Sequence, residues 1–224
     1  KLDIKGLGKA KYILKEGGTL GDLYTTSNLR FNDNGYVEVD KNGNLLMTDE
    51  GEDIYLGSVF PNHNLAWRND FSYKGINLGV LFTARLGGVC YSATQANLDL
   101  YGVSEASAAA RDAGGVLING REMVDAQKWY QAIGSQSGLP QYYLYSATNV
   151  RLQELSLGYT FPRKWFRNKL GLTVSFVGRN LWMIYCKAPF DPEAVASTGL
   201  NYQGIDYFMM PSMRNLGFNV KFQF

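Results

Sequence analysis

The stretch Met213–Phe224, MRNLGFNVKFQF, decides the fold. From Leu216 every second residue is apolar, namely Leu216, Phe218, Val220, Phe222 and Phe224, while Asn215, Gly217, Asn219, Lys221 and Gln223 fill the alternate positions. A strand turns successive side chains to opposite faces, so this segment has one apolar and one wet face. An amphipathic strand of about 9 to 11 residues crosses a bilayer when tilted in a barrel wall. A soluble sheet seldom leaves such a strand unguarded at its end.

The same pattern recurs upstream. In LAWRNDFSYKG, Leu65, Trp67, Phe71 and Tyr73 share one phase, with Ala66, Arg68, Asp70, Ser72 and Lys74 on the other. After a Lys74-Gly75 turn, Ile76, Leu78, Val80, Phe82, Ala84 and Leu86 alternate with Asn77, Gly79, Thr83, Arg85 and Gly87, Leu81 being the exception. So short a turn makes the two strands antiparallel neighbours. Residues 149–161 and 170–177 alternate likewise, and near Asn180 the phase slips, sending Leu181 and Met183 inward unless a bulge intervenes. An Arg facing lipid at mid-membrane costs about 2 to 4 kcal/mol. The phase carrying Arg68, Asp70, Arg85, Glu154 and Arg179 is therefore expected to face a polar lumen. A soluble sandwich would instead bury the aromatic phase.

No run of 18 apolar residues is present, which excludes a membrane helix. Alternating strands keep the average low, and the mean hydropathy is −0.20. A net charge of +2 with mixed signs and no basic stripe argues against a nucleic-acid partner. The opening KLDIKGLGKAKY lacks the apolar core of a signal peptide, so any export signal is expected to lie upstream. Cys90 and Cys186 could pair in an oxidising compartment, but two cysteines are no framework.

The expected fold is all-β: an antiparallel transmembrane β-barrel segment whose long extracellular loops contain short helices. Residues 1–62 hold weak strands, at Leu2–Ile4 and Gly21–Phe31, and a polar loop over Asn32–Glu52 with Asn34-Gly35 and Asn42-Gly43 turns. Hairpins at 63–87 and 149–185 and the terminal strand 213–224 alternate with extracellular loops at 88–148 and 186–212. In the first long loop Ser104 caps a helix through Ala113, and Glu122–Ile133 reads as helical with Gly134 as its stop. Short turns on one side and long loops on the other are the habit of outer-membrane barrels, which places the carboxyl terminus on the periplasmic side. Five firm strands cannot close a barrel that needs about eight, so the chain is expected to be the end of a longer polypeptide or one share of a common wall.

Asp40, Asn42 and Asn44 have the spacing of a calcium loop, but Gly51 replaces the twelfth-position Glu and Leu45 the sixth-position Gly, so a turn is favoured over a metal site. The single His63 sits in a turn, and Asp191 with Glu193 is a turn pair without a facing carboxylate. No zinc cluster or phosphate loop is present, so neither enzyme nor cofactor is expected. The loop aromatics Trp129, Tyr130, Tyr142, Tyr143 and Tyr145 are candidates for ligand binding, their other reading being a small loop core.

From about Gly17 to Phe224 the chain resembles the carboxyl-terminal part of the SusC/RagA-type TonB-linked outer-membrane transporters. The resemblance rests on GSVFPN at 57–62, RLQELSLGYTFP at 151–162, GRNLW at 178–182, FDPE at 190–193 and Pro211 before the last strand. It implies a 22-stranded barrel in the outer membrane of a Gram-negative bacterium, plugged by an amino-terminal domain. It implies as partners a SusD-like lipoprotein, TonB through an amino-terminal part outside this chain, and outer-membrane lipid, with oligosaccharide or peptide fragments as substrate. A non-transporting adhesin or structural barrel that binds through its outer loops is the alternative, and a soluble lectin a third.

Overall fold

The computed structural model describes residues 1–48, 51–199 and 202–224. Asp49 and Glu50 of the expected polar loop, and two positions of the loop over 186–212, lie outside the described residues. In chain order the strands are β1 (Leu2–Leu7), β2 (Ala10–Leu14), β3 (Asp22–Thr25), β4 (Ile54–Ser58), β5 (His63–Tyr73), β6 (Ile76–Leu86) and β7 (Val89–Ser92). They continue with β8 (Val116–Ile118), β9 (Glu122–Val124), β10 (Leu144–Ser146), β11 (Asn149–Phe161), β12 (Gly171–Cys186), β13 (Ile205–Asp206) and β14 (Asn215–Gln223). Helices are α1 (Ala93–Leu100), α2 (Glu105–Asp112) and α3 (Ala126–Ile133). The chain forms two compact units: Lys1–Phe60, Gly88–Ser146 and Ala194–Met209 make the first, and Pro61–Gly87, Ala147–Glu193 and Met210–Phe224 the second.

The first unit has a dry core of its own. Sheet β1-β2-β3-β4 and the small sheet β10-β7-β13, in which β13 runs parallel to β7, surround it. Tyr12, Leu23, Leu29, Tyr91, Ala96, Ile133, Leu139 and Ile205 fill that core. Every residue of β3 is buried, so the alternation that marks a half-wet strand is missing. The polar loop folds as ladder-like turns, with bridges Leu29↔Met47, Phe31↔Val37 and Val39↔Leu45. Asp40 belongs to one of them: Oδ1 accepts from the backbone N of Asn42 and of Asn44, each at 2.8 Å, and Oδ2 from Asn44 Nδ2. Those hydrogen bonds, Asn44's first, hold its carboxyl below the usual range.

Ser104 caps α2, accepting from Ser107 N at 3.0 Å. The helix expected from Glu122 begins later, at Ala126, where the Asp125 side chain accepts from Lys128 N. Glu122–Val124 instead pairs antiparallel with Val116–Ile118. That hairpin buries Ile118 and Val124, which offsets the helical propensity of its residues.

The second unit is one antiparallel sheet in the order β14-β12-β11-β6-β5. It is open: among the described residues β5 and β14 each pair along a single edge. Its strands run 11, 11, 13, 16 and 9 residues from β5 to β14, enough for a tilted crossing. Lys74 (φ 47°) and Gly75 (φ 88°) form the hairpin turn, the double positive φ that suits the strand twist. Gln223 lies opposite Gly171, so the chain ends on the side of the two short connections.

The phase slip resolves as an irregularity shared by three strands. Leu152 faces Trp182 and Phe82, and Glu154 faces Arg179 and Leu81, so β12 gains one residue and β6 loses one across the same step. Asn180, at φ 52°, takes the turn. Leu181 thereby folds over Gly178, while Met183 stays in register with Arg151.

Candidate functional site

The two faces of the second unit's sheet differ chemically. One carries Leu65, Trp67, Phe71, Tyr73, Phe176, Trp182, Leu216, Phe218 and Phe222, all exposed. Trp67 stacks on Phe82 at 5.6 Å and Phe176 meets Phe218 edge-on at 5.7 Å, each across a strand pair. The opposite face is polar and hydrogen-bonded in three tiers.

Nearest the short turns, Ser72 Oγ meets Asn77 Oδ1 at 2.8 Å, Asn77 Nδ2 donates to Thr160 Oγ1 at 2.9 Å, and Thr160 meets Thr173 at 3.1 Å. The middle tier is a charge ladder. Arg68 Nε donates to Asp70 Oδ2 at 2.9 Å, Arg68 Nη1 lies 3.5 Å from Glu154 Oε1, and Arg179 Nε donates to Glu154 Oε2 at 3.0 Å. Arg68 and Glu154 sit on strands separated by β6, both in register with Leu81, while Gly79 lies in register with Asp70 and Ser156 and leaves room beside the Asp70 carboxylate. A Cβ there would stand 2.5 Å from Ser156 Oγ and 2.9 Å from Asp70 Oδ1. Glu154 is the hinge of the ladder at 18% exposure, against 52% and 66% for its two arginines. Four of the five candidate lumen residues are thus brought together, and Arg85 stands apart on the same face, in register with Asn64 and Asn149.

The third tier escapes a reading of alternation alone. Arg151 is 2% exposed, and its guanidinium donates four hydrogen bonds and makes a further ion-pair contact. Nε donates to Asn149 Oδ1 at 2.9 Å, Nη1 to Asp191 Oδ2 at 3.2 Å and Ser212 Oγ at 3.1 Å. Nη2 meets Asp191 Oδ1 at 2.5 Å and Glu193 Oε2 at 3.2 Å. Burial raises the Asp191 pKa, but hydrogen bonds from Arg151, Ser212 and the Glu193 backbone more than offset it and hold the carboxyl at about 2. The knot ties the 190–193 turn and the start of the last strand to β11. Its traces in the sequence are the RLQE and FDPE motifs, whose partners lie 40 or more residues apart.

The loop aromatics belong to the first unit. Tyr143 is 3% exposed and part of the core, while Trp129 and Tyr130 pack against it and Tyr145 is half-buried. Tyr142, the most open of the five at 40%, meets Trp129 edge-on at 6.0 Å. Beside them α1, α2 and α3 contribute to a cavity of about 200 Å³ whose walls include Asp99, Gly102, Ser107, Arg111, Gln127 and Tyr130. Burial, and secondarily the Asp99 carboxylate, raise the pKa of Tyr130 and Tyr143. His63 is exposed at the start of β5, and among the described residues Cys90 and Cys186 form no disulfide and no three His, Cys, Asp or Glu side chains cluster to hold a metal.

In sequence, the chain is similar to part of a TonB-dependent receptor. The chain is 26% identical over 198 residues to the TonB-dependent receptor P3 of Formosa agariphila, a match over 84% of this chain and 19% of that protein. The chain therefore spans about a fifth of that relative's length. This similarity and the resemblance read from the residues agree. No protein-family model matches. Among solved structures, the RagAB peptide transporter is similar at TM-score 0.49 and 19% identity, over 90% of this chain and 22% of that one. The RagAB peptide importer in its closed-closed state gives 0.47 and 18%, over 94% and 24%.

Proposed function

We propose that the second unit is a stretch of the wall of an outer-membrane β-barrel, its aromatic face against acyl chains and its three polar tiers against an aqueous lumen. The observation that carries this is the segregation of the two faces. Turning the sheet around would set Arg68, Glu154 and Arg179 against lipid at about 2 to 4 kcal/mol for each mid-membrane Arg. The short connections then lie at the periplasm, and the first unit is built from outer loops.

With the similarity to a TonB-dependent receptor, the proposed protein is a SusC/RagA-type importer of a Gram-negative outer membrane. It has a 22-stranded barrel, draws energy from TonB, works with a SusD-like lipoprotein and passes glycan or peptide oligomers without chemical change. The wall is tested in the full-length protein, with Cys90 and Cys186 replaced by Ser, by Phe218→Cys and Asn219→Cys. A water-soluble maleimide labels the second and spares the first in intact membranes; equal labelling of both refutes the orientation. Uptake that survives deletion of TonB refutes the transport assignment and leaves a binding barrel.

A further inference from the structure

We propose that the cavity walled by α1, α2 and α3 binds a primary ammonium group, with Asp99 as its counter-ion. Asp99 is 5% exposed and sits in the last turn of α1, at the end of the helix where the peptide dipoles disfavour negative charge. Buried carboxylates are ordinarily paired with a cation, because an uncompensated charge away from water is costly. Here the side chain accepts from Gln95 Nε2 at 2.8 Å, the Tyr143 hydroxyl is turned toward it as a second neutral donor, and Tyr130 and Tyr145 lie close by. Among the described residues no Lys, Arg or His forms an ion pair with it.

The one cation in the cavity wall does not fill that role. Arg111 is exposed, and its Nη1 donates to the Gly102 carbonyl at 2.7 Å. An incoming ammonium would supply the missing charge, and the Tyr130 ring in the same wall offers a face that attracts cations. At about 200 Å³ the cavity is below the range of about 300 to 1,000 Å³ usual for whole drug-sized ligands. It therefore suits an amino terminus, a lysine side chain or the amine of an amino sugar rather than a whole oligomer. The site deepens the proposed import function, on which it rests only for the statement that the amine belongs to cargo.

The test is calorimetric titration of the full-length protein in detergent with tri-alanine amide and its N-acetylated form, and in parallel with glucosamine and N-acetylglucosamine. The free amine binds at least about tenfold more tightly than its acetylated partner in one pair or both; which pair shows it separates peptide from amino-sugar cargo. Asp99→Asn, close to isosteric and still able to accept from Gln95, removes the preference, whereas Arg111→Gln keeps or strengthens it. Equal binding of amine and amide by the unaltered protein, or a preference that survives in D99N, overturns the proposal. Because binding is measured without uptake, that failure leaves import standing, and loss of TonB dependence leaves this site standing.

Discussion

Replacing Arg151 by Met keeps the length and much of the apolar stem of the side chain but removes all five guanidinium donors. Asp191, 7% exposed, then loses both of its bonds from Arg151 and keeps those from Ser212 and the Glu193 backbone. Breaking a buried pair from one side costs about 3 to 5 kcal/mol, because the remaining charge stays out of water. Glu193 is 42% exposed and can turn to solvent, which puts the expected cost at the lower end, about 3 kcal/mol. That corresponds to a factor of about 150 in the local opening equilibrium. Native-state hydrogen exchange on the full-length protein reads it directly at the Glu193 and Ser212 amides, both of which donate to Asp191. Exchange accelerates there by about two orders of magnitude in R151M, with the Lys74–Gly75 hairpin end unchanged. Arg151→Lys recovers only part, since an ammonium with three donors cannot replace four directed bonds. Protection within about threefold of the unaltered protein would refute the reasoning.

Acid supplies a second check on the same knot. The folded Asp191 carboxyl, at about 2, lies below its ordinary 3.8, so its contribution is present above about pH 4 and is lost as the pH falls through 2. The difference corresponds to about 2 kcal/mol, and the stability gap between the protein and Asp191→Asn narrows by that amount between pH 6 and pH 2 in thermal melts. Phe218→Arg, mid-strand on the aromatic face, costs about 2 to 4 kcal/mol in urea unfolding from phospholipid vesicles, whereas Asn219→Arg on the other face costs under about 1 kcal/mol; equal costs contradict the orientation. Gly79→Val forces Ser156 or Asp70 aside and destabilises by about 1 to 3 kcal/mol by the same assay, unlike Gly217→Val, where a Cβ meets open space. Asp125→Ala removes the cap of α3 and costs about 1 kcal/mol, seen as faster amide exchange at Lys128.

The strands of the second unit were legible in the residues because each keeps one face polar, so Trp67 and Arg68, or Phe218 and Asn219, declare opposite sides at sight. The shared face of Asp70, Arg68, Glu154 and Arg179 followed from that phase, but their pairing did not, since it depends on which residues stand opposite one another across four strands. The first unit was far less legible, for a different reason. β3 is buried on both faces, and β7, β8, β9, β10 and β13 are two to four residues long, too short for any period to register. α1 offers only Ser92 as a starting signal, and α3 starts four residues after Glu122 because hairpin burial overrides the helical propensity of Glu122–Val124. The Arg151 knot joins three stretches of chain, and no local pattern announces a contact between residues 40 to 61 apart.

The chain passes between its two units five times, and the first unit is completed only when β13 pairs with β7, Ile205 with Tyr91. Its segments thus alternate along the chain with those of the sheet, and none of the three is a finished core by itself. Exchanging the first unit's segments between homologues one at a time would strand half-finished cores, so recombination should succeed only where all three segments travel as a set.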